Sequence, residues 1–268
     1  MSRVCVAAAV TCLALGAGLA HGQEQEPHSA RAYCLKVPSG QFAELEALVR
    51  DAGIPAEKQR IAAGESTGFD LLRGVVPLGS SARCDYIAVF HYGLLPEAEP
   101  GDTLLDHATK AGVEGEAAMK RWSELTELVS VQWWWFAERV GPAWPRGSYI
   151  HVNHYQLNED ATFQDYLASH RMYWKPIVER LLADGRKVSW DDVGIWRPFE
   201  ADSHQAVTLD VFHDWETMMT HQGYIFDDGG IWSEVHPNTT LDQMVFHMSR
   251  IRKQLGDELF RVVATTTE

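Results

Sequence analysis

Two adjoining stretches decide the fold: Tyr149–Leu157 (YIHVNHYQL) and residues 162–181 (TFQDYLASHRMYWKPIVERL). In the first, Ile150 and Val152 alternate with His151, Asn153 and Tyr155, the two-residue period of a strand with unlike faces. In the second, Thr162 and Asp165 make a capping-box pattern that opens a helix. Phe163, Leu167, His170, Trp174, Ile177, Val178 and Leu181 then recur at three- and four-residue spacing, one continuous stripe. Asp184-Gly185 stops that helix.

Outward from this β-α unit the series continues with strands over 187–199 and 205–214, a helical region over 242–255 and a strand over 258–265. The first half gives the same order. A strand over 31–37 leads to a helical stretch over 42–63, interrupted near Pro55. Strands over 68–76 and 84–92, a helix over 114–128 and a strand over 129–138 follow. Val89-Phe90-His91 falls where Val211-Phe212-His213 falls, as in an internal duplication. The pattern predicts an α+β fold of two tandem ferredoxin-like β-α-β-β-α-β repeats, 31–140 and 149–268, whose sheets face each other. A Pro- and Gly-rich linker, 141–148, joins them.

Ahead of the repeats, Arg3, an apolar run from Val4 to Leu15 and small residues around Ala20 read as a signal peptide over 1–22. The run is too short to cross about 30 Å of hydrocarbon. The expectation is an exported, soluble protein, periplasmic or extracellular. With 23 Lys and Arg against 37 Asp and Glu the net charge is −14, and loss of Arg3 makes it −15. Such an acidic body argues against nucleic acid as a partner, which needs a basic face. Cys5 and Cys12 leave with the signal, so Cys34 and Cys84 remain where thiols oxidise. A structural disulfide is the preferred reading, ahead of free thiols and of a catalytic cysteine. It would contribute about 4 kcal/mol in the chain-entropy model.

The element order resembles the dimeric α/β-barrel superfamily, over about residues 31–265, with both repeats in one chain, which implies an intrachain α/β barrel. The segment Met172-Tyr-Trp-Lys-Pro-Ile-Val-Glu-Arg180, with Gly185-Arg-Lys-Val-Ser-Trp190 after it, is similar to uncharacterised secreted members, which bring no activity with them. The superfamily implies a pocket between the sheets or beneath the helices. Its members include cofactor-free monooxygenases, isomerases and haem proteins such as the chlorite dismutases. In this topology the first and third strands are neighbours, which would bring Cys34 close to Cys84.

For chemistry, the apolar face of each strand is expected under the helices, leaving His151, Asn153, Tyr155, Thr208 and Asp210 in the space between the sheets. His151 with Asp210 would then be a general base held in one tautomer; the alternative is a polar network that only satisfies itself. His170 would face the sheet, as a second candidate base or a core histidine. Tyr173, Trp174 and Trp190 would wall a small-molecule pocket. The leading expectation is binding of a small aromatic or apolar molecule, with cofactor-independent catalysis as its extension. No cofactor is expected: no HExxH, paired CxxC or glycine-rich phosphate loop occurs. His151 and His154 also point to opposite faces, so they cannot share a metal. A haem- or metal-dependent oxidoreductase is the competing class, although no stretch matches the axial-histidine region of the chlorite dismutases. A purely structural or interaction domain is the third. Oligomeric state is left open. Thiol titration of a denatured, unreduced chain lacking residues 1–22 should find no free cysteine; two free thiols would sink the disulfide.

Overall fold

The alternation read in Tyr149–Leu157 forms a strand, but its two faces are exchanged relative to expectation. The computed structural model describes residues 28–76, 83–93, 113–196, 205–227 and 230–267. The expected signal peptide, 1–22, lies outside the described residues. The elements run β1 (His28–Lys36), α1 (Phe42–Leu48), a π-helical turn (Val49–Gly53), α2 (Ile54–Ala62), β2 (Gly68–Val76), β3 (Tyr86–Tyr92), α3 (Val113–Leu125) and β4 (Glu127–Val140). They continue with β5 (Tyr149–Leu157), α4 (Phe163–Ala183), β6 (Ser189–Trp196), β7 (Ala206–Phe212), α5 (Trp215–Phe226), α6 (Ile231–Val235), α7 (Leu241–Ile251) and β8 (Arg252–Thr265).

The eight strands close an antiparallel barrel in the order β1-β3-β2-β8-β5-β7-β6-β4. Each half supplies four strands, and the halves join edge to edge through β2 with β8 and β4 with β6. The expected intrachain barrel forms, with its two four-stranded halves joined edge to edge into one closed sheet rather than stacked face to face. Closure leaves no unpaired edge, which removes the usual liability of β-structure.

Closure also explains the exchanged faces. An eight-stranded barrel is just wide enough inside for side chains to fill it, and here they do. Ile150, Val152, Val207, Leu209 and Val211 therefore point inward, with Ala30, Val89, Phe136, Phe260 and Val262, and form the main core. Each large apolar side chain buried there contributes roughly 1.5–3 kcal/mol relative to exposure. His151, Asn153, Tyr155, Thr208 and Asp210 point outward, toward the helices. Trp133, Trp134 and Trp135 fill both sides of β4: Trp134 is in the barrel, Trp133 and Trp135 are outside it.

The linker 141–148 is a plug. Trp144 is buried against the barrel core, and its Nε1 donates to Asp191 Oδ2 at 2.9 Å. Asp191 also pairs with Arg139, so its buried charge is compensated. Gly141 makes the approach possible: φ is +101°, and a Cβ there would sit 2.5 Å from the Val188 carbonyl oxygen. Cys34 and Cys84 form a disulfide, with Cα atoms 5.2 Å apart. Cys84 precedes β3 rather than lying within it.

On the outside, the capping box of α4 forms as read: Thr162 Oγ1 accepts from Asp165 N, and Asp165 Oδ2 accepts from Thr162 N. Gly194 of β6 lets α4 dock, since a Cβ there would meet Phe163 at 2.9 Å. The break near Pro55 is absorbed by the π-helical turn just before it, where the helix continues with looser spacing. The expected helix to residue 255 ends at Ile251 instead. Arg252 is extended (φ −146°) and starts β8 by pairing with Leu157. Helix α5 has no counterpart in the sequence reading. Trp144→Ala removes the plug and orphans part of Asp191, so urea unfolding should show a loss of about 3–5 kcal/mol.

Candidate functional site

The outward polar face of β5 and β7 forms the floor of a cavity of about 430 Å³, in the range of small-molecule and cofactor sites. α4, α5 and α7 roof it with Trp174, Ile177, Leu181, Phe226 and Met244. Of the residues expected at a site, His151, Asn153, Tyr155, His170, Trp174, Trp190, Thr208 and Asp210 all line this one cavity. Tyr173 does not. It packs among α4, α6 and α7 against His236 and His247.

The floor is a hydrogen-bonded network. His151 stands directly opposite Asp210 on the neighbouring strand, and Asn153 opposite Thr208. The expected His151–Asp210 pair nevertheless does not form. Asp210 accepts from Lys187 Nζ and from Asn153 Nδ2, the latter at 3.1 Å. His151 instead meets Asp257 of β8 through Nε2 at 2.9 Å. Gln254 donates to Asn153 Oδ1 at 3.2 Å and completes the layer. Burial alone would raise the Asp210 carboxyl. Lys187, with help from His151 and His221, overcomes that and holds it below the usual range.

His170 lines the cavity and is fully buried. Its Nδ1 lies 2.7 Å from Asp192 Oδ1, and Tyr166 donates to the same oxygen at 3.2 Å. Tyr166 and Trp190 flank the ring. Nε2 is buried with no protein partner, as are Asp192 Oδ2 and Arg252 Nε. Burial pushes the imidazole well below its usual range and the Asp192 carboxyl well above its own, so the pair favours uncharged forms. A protonated Asp192 donating to Nδ1 leaves the ring proton on Nε2. An ionised Asp192 accepting from Nδ1–H leaves a lone pair there, and a cation at Nε2 favours this second form. The guanidinium of Arg252 lies over the Tyr155 ring at 3.5 Å. Burial raises the Tyr155 phenol to about 12.

Lys187, His221, Gln254 and Arg252 also line the cavity and Asp192 holds His170, and none of the five was expected from sequence. Asp192 did leave a signal. Trp190-Asp-Asp-Val193 puts adjacent acids in an otherwise apolar strand, so each must find a partner on its own side of the sheet. Among the described residues no group of three or more His, Cys, Asp or Glu converges as a metal site, and no helix is long and apolar enough to cross a membrane.

No family model matches the chain, and no curated protein sequence matches it either. Solved structures do resemble it in fold. A haem-binding protein from Thermus thermophilus is 9% identical at a TM-score of 0.47, covering 89% of this chain and 92% of its own. A dye-decolorizing peroxidase from Bacteroides thetaiotaomicron is 8% identical at 0.46, covering 89% and 93%. A dye-decolorizing protein from V. cholerae is 11% identical at 0.45, covering 87% and 93%. The expectation of no cofactor is corrected by these matches, which include a haem-binding protein and a peroxidase. At such identity the likeness is one of fold, and any case for haem here must be carried by the cavity's own residues.

Lys187 and Asp210 offer a test of the floor. Asp210→Ala leaves a buried ammonium unpaired and should cost about 3–5 kcal/mol at neutral pH. Because the folded Asp210 pKa is depressed, its stabilisation is present above 3.8, the ordinary carboxyl value, and is lost as pH falls through the folded value. The gap between wild type and variant in urea melts should therefore narrow in acid.

Proposed function

We propose that the cavity beneath α4, α5 and α7 binds haem with His170 as axial ligand, and that the protein is a haem-dependent oxidoreductase. The observation that carries this reading is the buried, unpartnered Nε2 of His170, whose Nδ1 is held by Asp192. A metal-ligating histidine almost always has its other ring nitrogen held by a carboxylate or carbonyl, which fixes the ring and raises its basicity.

The remaining residues suit a flat, mostly apolar group that carries carboxylates. Trp174, Trp190 and Phe226 offer broad apolar walls, and Ile177, Val178 and Leu181 extend them along α4. Arg252, with Nε free of protein partners, is the cation placed to meet a carboxylate. Haem is itself a largely aromatic, apolar molecule, so the His-, Trp- and Tyr-lined pocket expected from sequence takes it as its ligand. When bound it supplies one-electron redox chemistry and activation of peroxide or oxygen. The chain's own part is to hold His170 rigid, to exclude water from its ring and to offer hydrogen bonds from the polar floor. We further propose that the two halves are tandem ferredoxin-like repeats and that the protein is exported, a reading to which the disulfide lends support.

The test is titration of the purified chain with haemin, read by absorbance near 400 nm. One equivalent should give a sharp Soret band. His170→Ala should abolish that band or weaken binding at least tenfold, and Asp192→Asn should weaken it by about 10–100-fold. A featureless titration, or a His170→Ala protein that binds as wild type does, overturns the reading.

A further inference from the structure

A second cavity, of about 210 Å³, lies in the first half, between α1, α2 and α3 and the outer face of β2 and β3. Its walls are mostly apolar: Val49, Phe69, Phe90, Met119 and Trp122 line it with Asp51 and Gln59 beside them, and Gly115 and Ala118 of α3 leave the space open. The π-helical turn Val49–Gly53 forms part of the same wall. Such turns appear often at functional sites.

One wall differs in kind. Glu57 and Arg60 are 5% and 6% exposed and pair through Oε2 and Nη1 at 2.8 Å. Glu57 Oε1 and Arg60 Nε remain buried without a hydrogen-bond partner. Glu65 stands 3.9 Å from that Nε, beyond hydrogen-bond reach, while the guanidinium also engages the Tyr92 hydroxyl. A helix placing an ion pair against an apolar cavity carries a desolvation cost that a fully apolar pair would avoid. The two unmet atoms are one acceptor and one donor, in a pair that is already neutral and whose residues both line the cavity.

We propose that this cavity is a second ligand site, for a small neutral aromatic molecule bearing a hydroxyl, a phenol in class. The ring would lie among Phe69, Phe90 and Trp122; the hydroxyl would accept from Arg60 Nε–H and donate to Glu57 Oε1. An apolar cavity of about 150 Å³ takes benzene, so 210 Å³ admits a substituted ring. Benzoate is excluded because its carboxylate would face Glu57. The site is independent of the haem reading, since the two cavities share no residue.

The probe is phenol, with toluene as the apolar control, followed by isothermal titration and by tryptophan fluorescence. Wild type should bind one phenol per chain, saturably and at least about tenfold tighter than toluene, as hydrogen bonds to charged groups require. Ala118→Phe fills the cavity and should abolish binding of both. Arg60→Met should bring phenol down to the affinity of toluene; if that variant does not fold, Ala118→Phe carries the test alone. His170→Ala should change nothing. Absence of saturable binding, equal affinities for the two probes, or binding that survives Ala118→Phe or depends on His170 would overturn the proposal.

Discussion

The interior of this closed eight-stranded barrel is filled by packed apolar side chains, which leaves no room there for a ligand. That constraint orders the molecule. It draws the β-branched and aromatic face of every strand inward, so the polar face of β5 and β7 must be covered from outside. α4, α5 and α7 provide the cover. They cannot lie flush on a floor of His151, Asn153, Lys187 and Asp210, and the resulting gap is the larger cavity. The place where ligands can bind thus follows from the place where they cannot.

The adjacent acids of β6 tie the interior to the cavity. Asp191 points inward, where it binds Arg139 and the indole of Trp144 and so fastens the plug. Asp192 points outward to His170 and Tyr166. Both carboxyls are fully buried, and both are expensive to desolvate. Their cost is offset differently: Asp191 meets a permanent cation, while Asp192 meets a neutral histidine. Around Asp192 its own Oδ2 and the His170 Nε2 are left free, and His170 lines the cavity.

Local signals in the sequence were legible where local physics decides them. The capping box at Thr162, the stripe along α4 and the order of the eight strands appear as read, while α5 and α6 had no counterpart. The proximity of Cys34 to Cys84 appears too, although Cys84 sits just outside its strand. What was not legible depended on closure. Alternation in Tyr149–Leu157 separates two faces but does not say which is inside, and a helix-covered sheet and a closed barrel give opposite answers. The transition at Arg252 was hidden because 242–255 keeps helical spacing; pairing with Leu157 and stacking over Tyr155 override it. Most candidate residues were brought to one cavity because they share a strand face, and that face moves as a unit when its direction is reversed. Tyr173 was not, since one helix position away from the stripe puts a side chain into a different layer.

The two halves show how far one arrangement of strands and helices leaves ligand chemistry open. In the first half β3 presents Tyr86, Ala88 and Phe90 outward, and the helices close down to a small apolar cavity with one ion pair in its wall. In the second half the same side of the sheet presents Thr208 and Asp210 from β7, and the cavity is twice as large and polar along its floor. Phe90 and the outward polar residues of β7 share a strand geometry; they differ in what they demand of a neighbour. A phenyl ring accepts helix side chains at van der Waals distance, whereas a buried carboxylate requires a cation and hydrogen bonds, which hold the roof away. Pocket size here is set by the hydration cost of outward strand residues, and the fold itself only supplies the layer in which that cost is expressed.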